Sequence, residues 1–329
     1  MTSPGSLTAV VVDWNLPDHT IRCARSLVAD GVPSERIVVV ENGPTDASWS
    51  RVSNELSGCV LVRTDANLGF GKASNIGART LPGEAYLLVN NDAFVHKAGS
   101  VSALLSALDQ ARIGIVVPRI LNDDLSLQPT VVPFTTPIPA LVRASGLSRF
   151  LPDRWQPHLS THWSHTWSCE VQAAVGAVML VDGQVWERLA GLREDSFMYA
   201  EDIDLCWRAQ GEGFATWFCG ESEFVHIGGA SSDRRWSIRE RWERTARAEG
   251  AIIREHLSPG KAAAALAFTR LGVAARVVYF NLAGNADAAA RCSGYLAGMR
   301  SARLGDVEDE RISSPGVEVV RPPALDSRQ

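Results

Sequence analysis

The sequence predicts an α/β domain built on a mostly parallel sheet, and three observations carry that expectation. Apolar runs of strand length recur through the first 120 residues, at 7–13, 36–40, 60–63, 85–89 and 113–118. They are continuous rather than alternating, as strands buried on both faces are. Segments with helical spacing separate them, at 18–29, 49–56, 73–79 and 101–108. Several of the strands run into polar or turn-forming residues, which punctuates the order strand, helix, strand, helix.

In chain order, the second strand ends in Glu41-Asn42-Gly43-Pro44, a strong turn signal. Asn67-Leu68-Gly69-Phe70-Gly71-Lys72 is a glycine-rich loop that opens the next helix, and the fourth strand ends at Asn90-Asn91-Asp92. Ligands of such sheets bind at the carboxyl ends of the strands, where Asn15, Glu41, Asn42 and Asp92 collect. Periodicity is then lost from 122 to about 169, a proline-rich stretch holding Trp155, Trp163 and Trp167. Irregular stretches of that length are functional or mobile. Residues 171–181 resume as a strand, with a helix at 185–189 and further strands at 214–218 and around Phe224.

The remainder reads as helices at 237–256 and 261–299. Residues 262–284 are apolar but interrupted by Arg270 and Arg276, so a membrane span is not expected. Packing against the core is preferred there, with peripheral contact to an anionic membrane as the sharper reading. The expected organisation is an α/β half at 1–120, a second half of the same domain at 121–235, helices at 236–303 and a disordered tail at 304–329. A net charge of −5 argues against nucleic acid as a partner. Six scattered cysteines without a C-x-x-C pair suggest reduced thiols and a cytoplasmic protein. No secretion signal is read at the N-terminus.

The densest chemistry is at 197–208, FMYAEDIDLCWR, with Glu201, Asp202 and Asp204 within four residues at the start of a predicted helix. Acids there are favoured by the helix dipole alone. The sharper reading makes one of them a general base in a cleft. The glycine loop fails both nucleotide-loop patterns: Ala66 and Ala73 stand where a P-loop needs Gly and Ser/Thr, and Ser74 spoils the G-x-G-x-x-G spacing. His158, His162, His165 and Cys169 have zinc-like spacing but no frame to hold a tetrahedral site, so loop histidines are preferred. Asp92 could hold a hard divalent cation facing phosphate, or cap a turn. His226 as a neutral imidazole would suit Mn²⁺, or be a core histidine.

The segments VVVDWN, VVVENGPTD, NLGFGKASNIG, YLLVNNDAF, GAVMLVDGQVWERLAGLREDSFMYAEDIDLCWRAQGEGF and FVHIGGAS resemble, in order, the successive blocks of family 2 glycosyltransferases, and the rhamnosyltransferase-like branch most closely. The resemblance runs from about residue 7 to 256. It implies a GT-A fold (an α/β sugar-nucleotide-binding fold with a mostly parallel central sheet and, here, a C-terminal helical extension). It further implies a dTDP- or UDP-sugar donor, Mg²⁺ or Mn²⁺, and an inverting transfer of one sugar, with a deoxysugar such as rhamnose among the donors. The acceptor would be a hydroxyl on a glycan, a lipid-linked sugar or a small natural product, met in the cytoplasm or at the inner face of the membrane.

Carried over by position, Asp202 matches the catalytic base, with Glu201 expected to raise its pKa by like-charge repulsion. Asp92 and His226 match the metal ligands, and Asn90 replaces the first Asp of the family's Asp-x-Asp-type motif. Glu41 stands where the family has an Asp that contacts the nucleotide. Asn15, Asn42, Asn67, Gly69, Lys72, Asn75 and Asn91 are candidates for the donor site, and Arg234 and Arg235 for a phosphate clamp. Trp155, Trp163 and Trp167 are candidates to stack on acceptor sugars. Ile238 replaces the Gln of the processive Gln-x-x-Arg-Trp motif, which favours a single addition. Asn90 and Glu41 also motivate a second reading, a glycosyltransferase-like scaffold that binds nucleotide sugars without catalysis. A sugar-phosphate nucleotidyltransferase ranks below both, because Trp14-Asn15-Leu16-Pro17-Asp18 lacks the basic glycine-rich loop it needs.

Overall fold

The computed structural model describes residues 3–159, 161, 163–194, 199–228, 236–301 and 316–322. Its first half follows the predicted alternation: β1 (Leu7–Asp13), α1 (Pro17–Ala29), β2 (Ile37–Asn42), α2 (Asp46–Glu55), β3 (Val60–Thr64), α3 (Phe70–Thr80) and β4 (Ala85–Asn90). Strands β3, β2, β1 and β4 lie side by side and parallel, so Asp13, Asn42, Thr64 and Asn90 all end on one edge of the sheet. Both faces are covered. One apolar cluster joins Leu27, Val39, Leu87 and Leu104 beneath α1 and α4 (Ser100–Leu108), and a second joins Val40, Leu88, Ile115 and Phe218 beneath α3. That double burial explains why the strands read as unbroken apolar runs.

The second half continues the same sheet with mixed directions. A short β5 (Ala93–Val95) follows β4 directly, and β6 (Ile113–Leu121) follows α4. Residues 171–181 do not form one strand. They divide into the end of β8 (Cys169–Val171), which pairs with β11, β9 (Ala173–Ala174), which pairs with β7 (Val131–Val132), and β10 (Val178–Asp182), wedged antiparallel between β4 and β6. Strand β11 (Ala215–His226) is a single twelve-residue strand, running parallel to β6 with register shifts and antiparallel to β5. The stretch at 122–169 is less irregular than its prolines suggest. It holds α5 (Pro137–Ser145), with Pro137 in the first turn and a left-handed Gly146 closing it, and the one-turn α6 (Gln156–Leu159). Proline is tolerated in a first helical turn because that N–H has no helical partner to lose.

After α7 (Gly183–Arg188) and α8 (Glu201–Gly211), the chain ends in α9 (Ile238–His256), α10 (Pro259–Leu282) and α11 (Ala286–Ser301). The predicted helix at 261–299 is thus two, turned at the left-handed Gly284. Helix α9 starts with a full capping box between Ser237 and Glu240. The three helices and α5 share a third apolar cluster around Ala140, Ala246, Leu266 and Met299. Residues 317–320, expected to be disordered, instead form β12 (Val317–Val320), antiparallel to β3 at the end of the sheet. Its Val-Glu-Val-Val sequence favours extended backbone, and the outer edge of β3 offers unpaired N–H and C=O groups.

Asp204 ties α8 to the C-terminal helices. Its side chain is 1% exposed, accepts from Arg208 Nε at 2.7 Å and lies 2.8 Å from His256 Nε2 and 3.5 Å from Arg193. Burial works to raise its pKa, but the His256 bond and the Arg208 charge outweigh that, and the acid sits below its ordinary value. Its charge therefore stabilises the fold above the unfolded carboxylate pKa and loses that effect as pH falls through the lower folded value. Asp204→Asn is expected to cost about 3 kcal/mol, because it leaves buried cations uncompensated. Thermal melts of the variant at pH 7 should fall by several degrees, and the gap from wild type should close on acidification below about pH 4.

Candidate active site

The polar strand ends open on one cavity of about 600 Å³. One end is formed by Asp13, Trp14, Asn42, Asn67, Gly69 and Phe70, the middle by Asn91, Asp92, His226, Glu201 and Asp202, and the far end by residues of β7, α5, α9 and α11.

At the first end, Asn42 organises the glycine loop. Its Nδ2 donates to Asn67 Oδ1 at 3.0 Å, its Oδ1 accepts from the Leu68 N–H at 2.8 Å, and Asn67 Oδ1 also accepts from the Gly69 N–H. Gly69 has φ +83°, which glycine adopts without strain, and α3 starts there. Asp13 is pinned by Thr20 Oγ1 at 2.6 Å, by Asn91 Nδ2 and by the Leu16 N–H. Asn91 therefore braces Asp13 beside the cavity.

The middle is built by the antiparallel pairing of β5 with β11, which sets His226 opposite Ala93 and so beside Asp92. Gln128 fixes the imidazole. Its amide nitrogen donates to Asn122 Oδ1 at 2.8 Å and to the His226 carbonyl at 3.1 Å, which leaves Oε1 facing His226 Nδ1 at 2.7 Å. That network assigns the proton to Nδ1 and turns Nε2 towards Asp92 Oδ1, 3.2 Å away. Two acceptor atoms this close need a proton on Nε2 or a cation between them. Burial would raise the Asp92 pKa, but the hydrogen bond and charge of His226 hold it below its ordinary value. A buried carboxylate oxygen and an imidazole nitrogen oriented by an amide form a donor set that suits Mn²⁺ or Mg²⁺. No cluster of three or more His, Cys, Asp or Glu able to hold a metal occurs among the described residues. His165 is instead buried, with Nδ1 on the Trp163 carbonyl.

Glu201 and Asp202 enter from the first turn of α8. Tyr199 and Ala200 before it have φ +81° and +67°, a left-handed pair that costs non-glycine residues energy and turns both acids into the cavity. Asp202 Oδ2 accepts from the Gly176 N–H at 2.5 Å and Oδ1 from the Ile203 N–H at 2.7 Å. A β-carbon on Gly176 would lie 3.1 Å from that of Asp202, so the approach leaves little room for a side chain. Burial raises the Asp202 pKa, and the two backbone bonds act against the rise. Glu201 Oε2 has no bonding partner, and burial followed by the Asp202 charge pushes its acid up to about 8. The sequence expectation has Glu201 lifting Asp202; instead burial is the largest cause at both acids, and the Asp202 charge adds to the rise at Glu201.

Several predicted positions sit elsewhere. Glu41 is fully buried, bonded to Ser48 of α2 at 3.2 Å and pushed up to about 9 by burial and the Asp13 charge, so it faces the protein and not the cavity. Asn75 clamps the Leu192 backbone through both amide atoms, at 2.7 and 3.0 Å, and reaches Glu194. Asn15 holds the loop after β2 by accepting from the Thr45 N–H, and Lys72 lies off the cavity wall. Trp163 is core, stacked on His165 and edge-on to Phe218. Trp167 packs against its edge, and Trp155 is exposed beside Arg154. Trp207, Trp236 and Trp242 line the cavity instead, with Trp207 stacked between Phe134 and His256. Arg234, Arg235 and His162 lie outside the described residues. Gln128 carried no sequence signal, since an isolated Gln in a loop has no periodicity to reveal its partner, and Gly176 was marked only as the first residue of a family-like block.

Residues 9–164 match the family model for glycosyl transferase family 2. The chain carries a family 2 glycosyltransferase domain. It is 26% identical to an N-acetylglucosaminyl-diphospho-decaprenol L-rhamnosyltransferase of Mycobacterium tuberculosis, over 69% of this chain and 78% of that protein. It is 28% identical to the low-salt glycan biosynthesis hexosyltransferase Agl10 of Haloferax volcanii, over half of each. In structure it resembles the mannosyltransferase PcManGT of Pyrobaculum calidifontis, solved with GDP-Man and Mn²⁺, at TM-score 0.59 and 16% identity, over 94% of this chain and 90% of that one. The fold is GT-A, and the enzyme is a glycosyltransferase of rhamnosyltransferase-like sequence.

The position of Asn75 gives a direct check. Asn75→Ala removes two bonds to the Leu192 backbone and should destabilise the protein by about 2 kcal/mol. Thermal melts with and without UDP should show the same ligand-induced shift in variant and wild type; a lost shift would return Asn75 to the donor site.

Proposed function

We propose that the protein moves one sugar, with inversion, from a dTDP- or UDP-sugar to a hydroxyl group of a glycan or lipid-linked acceptor. The observation that carries this reading is the opening of Asp202 and the Asp92–His226 pair onto one cavity at the carboxyl edge of the sheet. Likeness to a rhamnosyltransferase named for a diphospho-decaprenol acceptor supports a rhamnose donor and a lipid-linked acceptor.

Asp202 takes the proton of the acceptor hydroxyl as its oxygen bonds to the anomeric carbon. The bond from that carbon to the diphosphate breaks on the opposite face, and the diphosphate leaves with the electron pair. Asp202 suits the step because burial raises its affinity for a proton while the Gly176 and Ile203 N–H groups bond its two oxygens, and burial with the Asp202 charge pushes the neighbouring Glu201 up to about 8. Asp92 and His226 would hold a divalent cation, which supplies charge neutralisation for the leaving diphosphate. Asn42, Asn67 and Gly69 would receive the nucleotide, and Trp207, Trp236 and Trp242 the acceptor.

Asp202→Asn should lower kcat by about 10³-fold with donor binding retained, measured by transfer and calorimetry side by side. Wild-type-like turnover would remove Asp202 from the role. Because the base acts deprotonated and burial raises its pKa, kcat/KM should rise with pH through a limb above the ordinary carboxylate range. EDTA should abolish transfer, and Mn²⁺ or Mg²⁺ should restore it. Gln128→Leu frees the imidazole and should raise the metal concentration needed for half-activity by about tenfold or more.

A further inference from the structure

A second surface lies next to the far end of the cavity. Helices α5 and α10 cross closely: a β-carbon on Gly272 would come 2.6 Å from Ala144, and Arg276 donates to the Arg143 carbonyl at 2.6 Å. Large apolar side chains stay exposed on either side of that contact. Ile138 is 68% and Phe150 77% exposed on the α5 side, and Leu271, Val278 and Leu282 are 69%, 60% and 85% exposed on α10. The last three recur at i, i+7 and i+11, which is one stripe of a helix. Helix α10 has the length and composition of a membrane span, with a mean hydropathy of 1.4 over its most apolar window, yet its inner side is occupied by α5 and α11.

The charge of this region departs from the rest of the chain. Residues 137–159 and 259–283 together carry Arg143, Arg149, Arg154, Lys261, Arg270 and Arg276 against one carboxylate, Asp153, in a chain of net charge −5. None of these six cations joins an ion pair among the described residues, and the outward arginines Arg149 and Arg154 are exposed. Apolar side chains fringed by cations on an otherwise acidic protein complement a leaflet of anionic lipid, where apolar insertion and basic attraction add.

We infer that the α5–α10 face docks flat on an anionic membrane. Arg143 lies on α5 and also lines the cavity, so docking sets the cavity's far end beside the lipid surface. This deepens the transfer reading above by bringing a lipid-borne acceptor to the same site. Vesicle binding needs no transfer, however, so either can fail alone.

The test is co-sedimentation of the full chain with phosphatidylglycerol-containing vesicles and with pure phosphatidylcholine vesicles, at low and high salt. Binding should be strong to the first, at least about tenfold weaker to the second, and weakened by salt. L271E/V278E should lose most of the binding, and R149E/R154E should lose the preference for anionic lipid, both with unchanged thermal melts because these positions are exposed. Equal binding to both vesicle types, no binding, or wild-type binding by L271E/V278E would overturn the inference. So would a stable dimer in light scattering that L271E/V278E dissociates, since the face would then be an interface between copies.

Discussion

Two backbone N–H groups, from Gly176 and Ile203, make two adjacent carboxylates in the cavity unlike each other. Without them Glu201 and Asp202 would be near equivalents, buried side by side in the first turn of one helix. With them Asp202 has a donor for each oxygen, which opposes the rise that burial causes, while Glu201 has an oxygen with none and is pushed up to about 8. Much of the surrounding structure serves that arrangement. The chain breaks between β9 and β10 to present the Gly176 N–H, Tyr199 and Ala200 adopt left-handed backbone to aim the helix, and Asp204 fastens the helix to α9. A carboxylate held by hydrogen bonds to its charged form but partly stripped of water keeps its proton affinity tunable, which solvent alone would not allow.

The Asp92–His226 pair is a product of sheet topology rather than of local sequence. Asp92 lies in the turn after the last strand of the parallel run, and His226 ends a strand that reaches it only through antiparallel pairing with β5. Gln128 then sets the tautomer through bonds to Asn122 and to the His226 main chain. The pair therefore depends on three separate stretches of chain, and each is held by its own hydrogen bonds before any ligand arrives. Such preorganisation places the reorganisation cost in folding instead of in the chemical step.

Sequence was most informative where burial is two-sided. The parallel strands β1 to β4 could be read from continuous Val, Ile and Leu runs, and their polar ends marked the edge where the cavity opens. It was less informative where one pattern serves two conformations. Residues 171–181 are apolar apart from Gln172 and Gly176, so they read as one strand and the break at Gly176 is hidden, and the prolines of α5 looked like breakers although two of them occupy its first turn. Among aromatic residues composition misled, because Trp163 fills the core while Trp207 and Trp242, spaced along helices, face the cavity. Glu41 shows the limit of reading by position: a carboxylate at a strand end can turn inward once a partner such as Ser48 is in reach.

The match to the family model ends at residue 164, and that boundary divides the cavity. Asp13, Asn42, Asn67, Gly69 and Asp92 lie inside it, whereas Gly176, Asp202, His226 and the walls from α9 and α11 lie beyond it. The end at Asn42, Asn67 and Gly69 therefore comes from the matched segment, and the middle joins Asp92 from that segment to Asp202 and His226 from beyond it. The apolar end, with Ile252, Ile253, Trp242 and the Thr135–Glu249–Tyr295 hydrogen bonds at its wall, comes mainly from helices that the family model does not reach. That apolar end adjoins the cationic, apolar face of α5 and α10, because Arg143 of α5 belongs to the cavity wall as well.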